Sequence, residues 1–124
     1  MKTCTACKEH KPNENFNKDI TMKDDKSTIC RACTAIKRLQ SVSRNRHFIW
    51  GYLLAKPCID CGETDRVVLQ FDHRDGVKKK GNLSDMVNKA LSIQTLTDEI
   101  AKCDVRCANC HQRRTAIQQK WYNY

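Results

Sequence analysis

The sequence predicts a small α+β protein in which an N-terminal module, a linker helix and a C-terminal module follow one another. Three features predict it: four Cys-x2-Cys pairs, a basic stretch with helical periodicity, and a strand-like run that precedes further helical segments. A polar chain of 124 residues has little apolar surface to bury and usually needs an additional stabilising element. Cysteine pairs provide one by binding zinc, so we expect a zinc-stabilised fold.

The cysteine pairs are the strongest signal in the chain. Each Cys-x2-Cys places two thiolates on a tight turn, and two such turns complete the tetrahedral shell that zinc prefers. Proximity along the chain predicts two structural zinc ions, whereas interleaved pairs would have to close longer loops. The first predicted site comprises Cys4, Cys7, Cys30 and Cys33, and the second comprises Cys58, Cys61, Cys107 and Cys110. Cys103 is expected to pack on a helix as a small apolar residue, and His10 is an alternative zinc ligand.

Composition excludes several classes of protein. No apolar run approaches the roughly 18 residues that span a bilayer, so no membrane association is expected. The N-terminus has no apolar core typical of a secretory signal, which predicts a cytoplasmic protein with reduced cysteines rather than a disulfide framework. With 23 Lys and Arg against 14 Asp and Glu, the formal net charge of +9 favours a polyanionic partner.

The segment 36–56 is predicted to be a basic linker helix between an N-terminal zinc module over 1–35 and a C-terminal module over 57–124. Its apolar residues recur at spacings near three and four, and it contains no acidic residue. We expect a break near Ser41–Asn45 and an end at Pro57. One face is expected to pack on the modules while basic side chains contact a phosphate backbone. The basic residues are Lys37, Arg38, Arg44 and Arg46.

The C-terminal module places an Asp-His pair at the end of a predicted strand. The β-branched and apolar run Val67–Phe71 is typical of a strand and leads directly into Asp72 and His73. His111 directly follows the last cysteine pair, and a final helix is expected to begin inside that pair because Gln112–Lys120 contains no helix breaker. One carboxylate and imidazoles held by a zinc module form a plausible divalent-metal site.

Two short helices are predicted between the strand and the last cysteine pair. Ser84 is expected to cap a helix that runs to about Ala90. Thr95, with Asp98 three residues later, has the spacing of a capping box for a helix through about Cys103.

Asp72-His73 followed by Cys107-Ala108-Asn109-Cys110-His111 resembles the motif of HNH endonucleases, also called ββα-metal or His-Me finger endonucleases. The resemblance covers roughly 57–118 and implies a C-terminal ββα-metal HNH module. The N-terminal cysteine pairs, with Lys8–Pro12 and Phe16 between them, resemble the start of proteins similar to phage recombination endonuclease VII.

The resemblance implies a role for each residue of the motif. His73 corresponds to the general base that takes a proton from the attacking water. Asp72 and His111 correspond to the protein ligands of one catalytic Mg²⁺ or Mn²⁺ ion. Asn109 is the expected middle Asn, which holds the loop that orients His73, and Asn82 is the alternative. The implied products carry a 5′ phosphate and a 3′ hydroxyl.

These expectations predict a metal-dependent DNA endonuclease with weak sequence specificity or structure-directed cutting of junctions or nicks. Its partner would be double-stranded, possibly branched, DNA, and a homodimer is possible. The alternative is a non-catalytic zinc-containing regulator that binds nucleic acid. The resemblance suggests a bacterial host or phage-infected cell. Predicted DNA contacts in this module are Lys78, Lys79, Lys80, Arg113 and Arg114, and Trp121, Tyr122 and Tyr124 form an aromatic tail of open role.

Overall fold

A computed structural model describes residues 1–122 of the chain, which form a mixed α/β protein. Within these residues lie four α-helices and three two-stranded antiparallel sheets. The chain divides into two compact units, the first ending at Ser41 and the second beginning at Val42.

The first unit is built from two small hairpins and the start of a helix. Phe16 and Cys30 are cross-strand partners and are both buried, and Cys4 completes this core. So small a core buries little apolar surface, so this unit depends on its cysteine group. Its strands are β1 (Lys2–Thr3), β2 (His10–Lys11), β3 (Phe16–Lys18) and β4 (Lys26–Cys30), paired β1 with β2 and β3 with β4.

Helix α1 spans Arg31–Leu53 without interruption, so the break predicted near Ser41–Asn45 is wrong. The polar residues of that stretch suggested a break, but no Pro or Gly occurs there to interrupt the backbone hydrogen bonds. Asn45 is fully buried, and its side-chain amide donates to the carbonyl of Leu91 at 2.9 Å. A tertiary partner therefore satisfies the polar side chain without any break in the helix.

The second unit contains an antiparallel strand pair followed by a helix. Strand β5 (Leu69–His73) pairs with β6 (Cys103–Cys107), and α4 (Ala108–Gln118) begins immediately after β6. The predicted strand over 67–71 is displaced by two residues, because Asp65 accepts a hydrogen bond from the Val67 backbone and Arg66–Val68 form a 3-10 turn. The strand therefore includes Asp72 and His73 instead of ending before them.

Helices α2 (Leu83–Asn88) and α3 (Ile93–Ile100) lie between the two strands. Ser92, not Thr95, caps α3, and its hydroxyl accepts from the Thr95 backbone at 3.2 Å. Likewise Ser84 lies within α2 rather than at its cap, which is Asn82. Because α3 ends at Ile100, Cys103 lies at the start of β6 and not on a helix.

Two apolar clusters fill the second unit. One surrounds the second cysteine group and includes Leu53, Leu69 and Val105. The other joins α2 to α3 and is centred on Leu96, which is fully buried. Phe71 of β5 packs against both clusters, and so fixes the strand that carries the Asp-His pair. No helix among the described residues is long and apolar enough to cross a membrane.

Candidate functional site

Each of the two units brings four cysteine sulfurs together, and the grouping by proximity is confirmed. The ligand atoms of each group lie within 4.8 Å of one another. Sulfurs 2.3 Å from a tetrahedral zinc ion lie roughly 3.8 Å apart. The separations are 3.8 Å for Cys4–Cys33, 4.0 Å for Cys7–Cys30 and 3.7 Å for Cys61–Cys107, so both groups can hold a metal ion such as zinc.

The two cysteine groups share one local construction. In each, a Cys-x2-Cys turn meets a strand whose last residue is a cysteine, and a helix begins at the next residue. Lys8 and Gly62, four residues after the first cysteine of each turn, adopt positive φ and donate back to that cysteine's carbonyl at 2.9 Å. This reversal aims backbone N–H groups at the sulfurs, as metal-bound thiolates require.

Backbone hydrogen bonds favour the thiolate form of Cys4 and Cys58, the first cysteine of each group. Burial alone would raise the pKa of Cys4, but backbone N–H groups, including those of Cys30 and Cys7, lower it to about 6. The pKa of Cys58 is likewise lowered to about 6, against the effect of burial, by backbone groups of Cys107 and Cys61. In the first group the ammonium of Lys11 also donates to the Cys30 sulfur at 3.3 Å.

The carboxylate of Asp72 is buried and has two different kinds of partner. Its Oδ2 accepts from the guanidinium groups of Arg106 at 3.1 Å and Arg114 at 2.9 Å. Its Oδ1 lies 3.4 Å from Nε2 of His111, which α4 presents from the first turn after the cysteine pair. One carboxylate oxygen is therefore neutralised by arginines, while the other faces an imidazole.

Gln70 determines which ring nitrogen of neutral His111 carries the proton. Its side-chain Oε1 lies 2.7 Å from Nδ1 of His111, and an amide oxygen is an acceptor. The proton of a neutral imidazole then lies on Nδ1, so Nε2 directs a lone pair toward Oδ1 of Asp72. Two acceptors that face each other in this way can share a cation, and metal-binding histidines typically donate the proton of their other ring nitrogen to an acceptor, as His111 does to Gln70.

His73 has a carboxylate partner that the sequence did not predict. Its Nε2 lies 3.1 Å from Oε2 of Glu99, a residue of α3 that is only 1% exposed. A carboxylate accepts hydrogen bonds, so the proton of neutral His73 is held on Nε2 and the lone pair on Nδ1 remains available as a base.

Glu99 is held as a carboxylate by further donors. The Lys80 backbone N–H donates to it at 2.9 Å and the Lys102 ammonium at 2.9 Å. Burial opposes ionisation, but hydrogen bonds from Lys102, Lys80 and His73 lower the pKa of Glu99 to about 2. One sequence signal for it exists: Glu99 follows Leu96 by three residues and precedes Ile100, so it occupies the apolar face of α3.

His73 and His111 line one groove of about 780 Å³ in the second unit. The same groove is lined by Asn82, the alternative for the middle Asn of the motif. Asn109 is exposed and lines a different, smaller cavity together with Arg113. The structure therefore brings Asn82, rather than Asn109 or Arg113, to the groove of the two histidines.

The predicted basic contacts have unequal surroundings. Arg44 donates to Asn45 and to the Leu91 carbonyl at 3.0 Å, so its guanidinium helps to attach α1 to the loop before α3. Arg46 lines the groove and donates to Asn88 at 3.3 Å. Arg114 joins Asp72 to Asp75. The remaining predicted basic contacts on α1 and the loop before α2, all exposed, are Lys37, Arg38, Lys78, Lys79 and Lys80.

The other residues singled out in the sequence lie apart from the cysteine groups. His10 contacts the Thr3 hydroxyl at 3.0 Å through Nδ1 and is not part of the first cysteine group. Cys103 packs against the α2–α3 cluster, and burial raises its pKa to about 11, so it is an inert thiol at neutral pH. Trp121 and Tyr122 are exposed, and Tyr124 lies outside the described residues.

No protein-family model, curated protein or solved structure matches this chain.

Proposed function

We propose that the protein is a metal-dependent DNA endonuclease in which His73 activates water and Asp72 and His111 hold a divalent cation. The observation that carries the proposal is the 3.4 Å separation between Oδ1 of Asp72 and Nε2 of His111, with Nδ1 of His111 bonded to Gln70. Adjacent ligands of an octahedral ion at 2.0–2.1 Å lie roughly 3.0 Å apart, so a shift of a few tenths of an ångström accommodates the ion.

The donor set also fits the chemistry of the proposed cation. One carboxylate oxygen and one imidazole leave most positions of an octahedral ion for water and phosphate oxygens, as Mg²⁺ or Mn²⁺ requires. When bound, such an ion supplies positive charge that stabilises the attacked phosphate and the departing 3′ oxygen. The guanidiniums of Arg106 and Arg114 hold the carboxylate of Asp72 in one orientation through its other oxygen.

His73 is suited to the role of general base. Glu99 holds the Nε2 proton, which leaves Nδ1 to accept a proton from a water molecule. The resulting hydroxide oxygen bonds to phosphorus, the bond from phosphorus to the 3′ oxygen breaks, and that oxygen takes a proton from solvent. The imidazolium formed on His73 is stabilised by the Glu99 carboxylate 3.1 Å away.

A plasmid-nicking assay with zinc-loaded protein tests the proposal. Wild type is expected to nick DNA when Mg²⁺ or Mn²⁺ is added, and His73→Ala is expected to lose roughly 10²- to 10⁴-fold in rate. His10→Ala is the matched control, because His10 is an exposed histidine of the other unit. Equal rates for wild type and His73→Ala, or no cleavage with either metal, would overturn the proposal. A branched substrate beside plain duplex separates structure-directed from indiscriminate cutting.

One observation favours the alternative of a non-catalytic regulator that binds nucleic acid. The two arginines on Asp72 are what a purely structural buried carboxylate would have. Under this alternative, wild type binds DNA but never cuts it, and His73→Ala binds DNA as tightly as wild type.

A further inference from the structure

The groove that contains His73 and His111 has a chemically unusual lining. Its walls include Leu53, Phe71 and Val87, and its polar positions include Arg46 and His47. No Asp or Glu occurs among the described residues that line it. An apolar groove with cationic and imidazole groups and no carboxylate is complementary to an anionic ligand that also carries apolar surface.

Trp50 supplies an aromatic surface to this groove. The Trp50 side chain lines the groove and is 44% exposed, whereas the central apolar side chains of the second unit's two clusters are buried. Arg66 covers one face of its indole, with the guanidinium carbon 4.1 Å from the ring centroid, and donates to the Trp50 carbonyl at 3.3 Å. The indole is therefore held in place, with the guanidinium cation over one of its faces.

Nucleotides match this combination when their bases are unpaired. An unpaired base has an open π face that can stack on an aromatic ring, and it remains joined to an anionic phosphate. In a continuous duplex the bases cover one another's faces, so the duplex presents phosphates and sugars, which do not favour apolar walls. Amide and hydroxyl groups of Asn82 and Ser84 also line the groove and can bond base edges.

We propose that the groove binds unpaired nucleotides of a DNA strand, with one base stacked on Trp50. This inference rests on the proposed function, in which a DNA phosphate near His73 and His111 is cut. It specifies the substrate class as single-stranded or locally splayed DNA. Base binding itself requires neither the catalytic cation nor cleavage, so it is tested separately.

Binding is measured with the full zinc-loaded chain in buffer free of Mg²⁺ and Mn²⁺. Trp50 and Trp121 are the two tryptophans, so the Trp121→Phe background reports Trp50 fluorescence alone. The probes are an oligothymidylate of about 12 nucleotides, which suits single-strand site sizes, and a blunt-ended DNA duplex, which has no unpaired bases. We expect the oligothymidylate to quench Trp50 and to bind more tightly than the duplex.

Variants separate base stacking from general electrostatic attraction, and because changes at Trp50 remove the fluorescent reporter, their affinities are measured from the fluorescence anisotropy of a labelled probe. Trp50→Ala should weaken oligothymidylate binding roughly 5- to 150-fold and leave binding of the blunt-ended duplex unchanged. Trp50→Phe should retain most of the affinity, because it preserves an aromatic face. Tyr122→Ala, an exposed aromatic change at a residue that does not line the groove, should bind like wild type.

The inference is overturned if neither probe changes Trp50 fluorescence, or if Trp50→Ala binds the oligothymidylate as tightly as wild type. If Trp50→Ala loses zinc or unfolds, Trp50→Phe and the quenching of the intact indole decide the matter. Cleavage of duplex DNA without Trp50-dependent binding overturns this inference alone. Trp50-dependent binding without cleavage in Mg²⁺ or Mn²⁺ supports it and overturns the proposed endonuclease.

Discussion

Replacing Glu99 with Gln tests the buried carboxylate at the centre of the second unit. The substitution preserves side-chain size and removes the charge that His73, Lys80 and Lys102 all contact. Glu99 is 1% exposed, so solvent cannot take over these hydrogen bonds. We therefore expect Glu99→Gln to destabilise the second unit and to release the His73 ring.

The magnitude follows from the pKa of Glu99, which is lowered from its ordinary 4.5 to about 2. That difference corresponds to roughly 3 kcal/mol of folding free energy, since one pKa unit is about 1.4 kcal/mol. Gln retains part of the hydrogen bonding, so we expect a loss of roughly 2–3 kcal/mol at pH 7. Because the pKa is lowered on folding, this stabilisation is complete above pH 4.5 and is lost as pH falls from 4.5 toward 2.

Urea unfolding with saturating zinc measures this free energy for wild type, Glu99→Gln and the control Asp98→Asn. Asp98 is the exposed neighbour on α3, whose carboxylate contacts Gln94 within the helix. That contact contributes roughly 0.2–0.5 kcal/mol, so the control should stay close to wild type. Zinc release on acidification affects all three proteins, so the difference between them isolates the carboxylate.

Nitrogen NMR of the His73 ring gives a second measurement that a purely structural role would not change. Wild type should show the neutral ring protonated on Nε2, and Glu99→Gln should show a mixture of tautomers because an amide both donates and accepts. A difference in unfolding free energy below about 0.5 kcal/mol at pH 7, together with an unchanged tautomer, would refute the argument.

Two further predictions concern other buried groups. Asn45→Ala should destabilise the second unit by roughly 0.5–1.5 kcal/mol, because it removes the buried amide that donates to the Leu91 carbonyl at 2.9 Å, while Arg44 continues to donate to that carbonyl. Thermal unfolding against the exposed control Ser43→Ala checks this, and equal melting temperatures would contradict it. Cys110→Ser should lower bound zinc from about two ions per chain to about one and unfold the second unit, since structural zinc supplies folding energy. Metal analysis checks this against Cys103→Ser, which should keep both ions; two ions in Cys110→Ser would disprove the ligand assignment.

The cysteine groups could be predicted from the sequence because their determinants are local. A Cys-x2-Cys turn places two sulfurs together by backbone geometry alone, and the observed turns at Lys8 and Gly62 follow that pattern. The start of α4 inside the last cysteine pair was predicted because no helix breaker follows over Gln112–Lys120, and it is confirmed, with Cys107 at the cap.

Element boundaries were less predictable where tertiary contacts decide them. The polar residues at Ser41–Asn45 suggested a break, yet α1 continues because Asn45 finds buried partners on another segment. The N-cap of α3 is Ser92, whereas the sequence had predicted Thr95. Both hydroxyl residues suit a cap, and the packing of Leu96 and Ile100 selects which turn is helical.

The sequence by itself predicted the two four-cysteine groups, because their turns depend on neighbours along the chain, and its resemblance to the HNH motif paired Asp72 with His111. Tertiary structure decided the 3.4 Å approach of His111 to Asp72, the contact of Glu99 with His73, and the opening of both histidines on one groove. Those contacts join residues 26 to 39 positions apart, as His73 is to Glu99 and Asp72 is to His111. No pattern of neighbouring residues encodes these long-range contacts, because they follow from the β5–β6 register and the packing of α3 and α4.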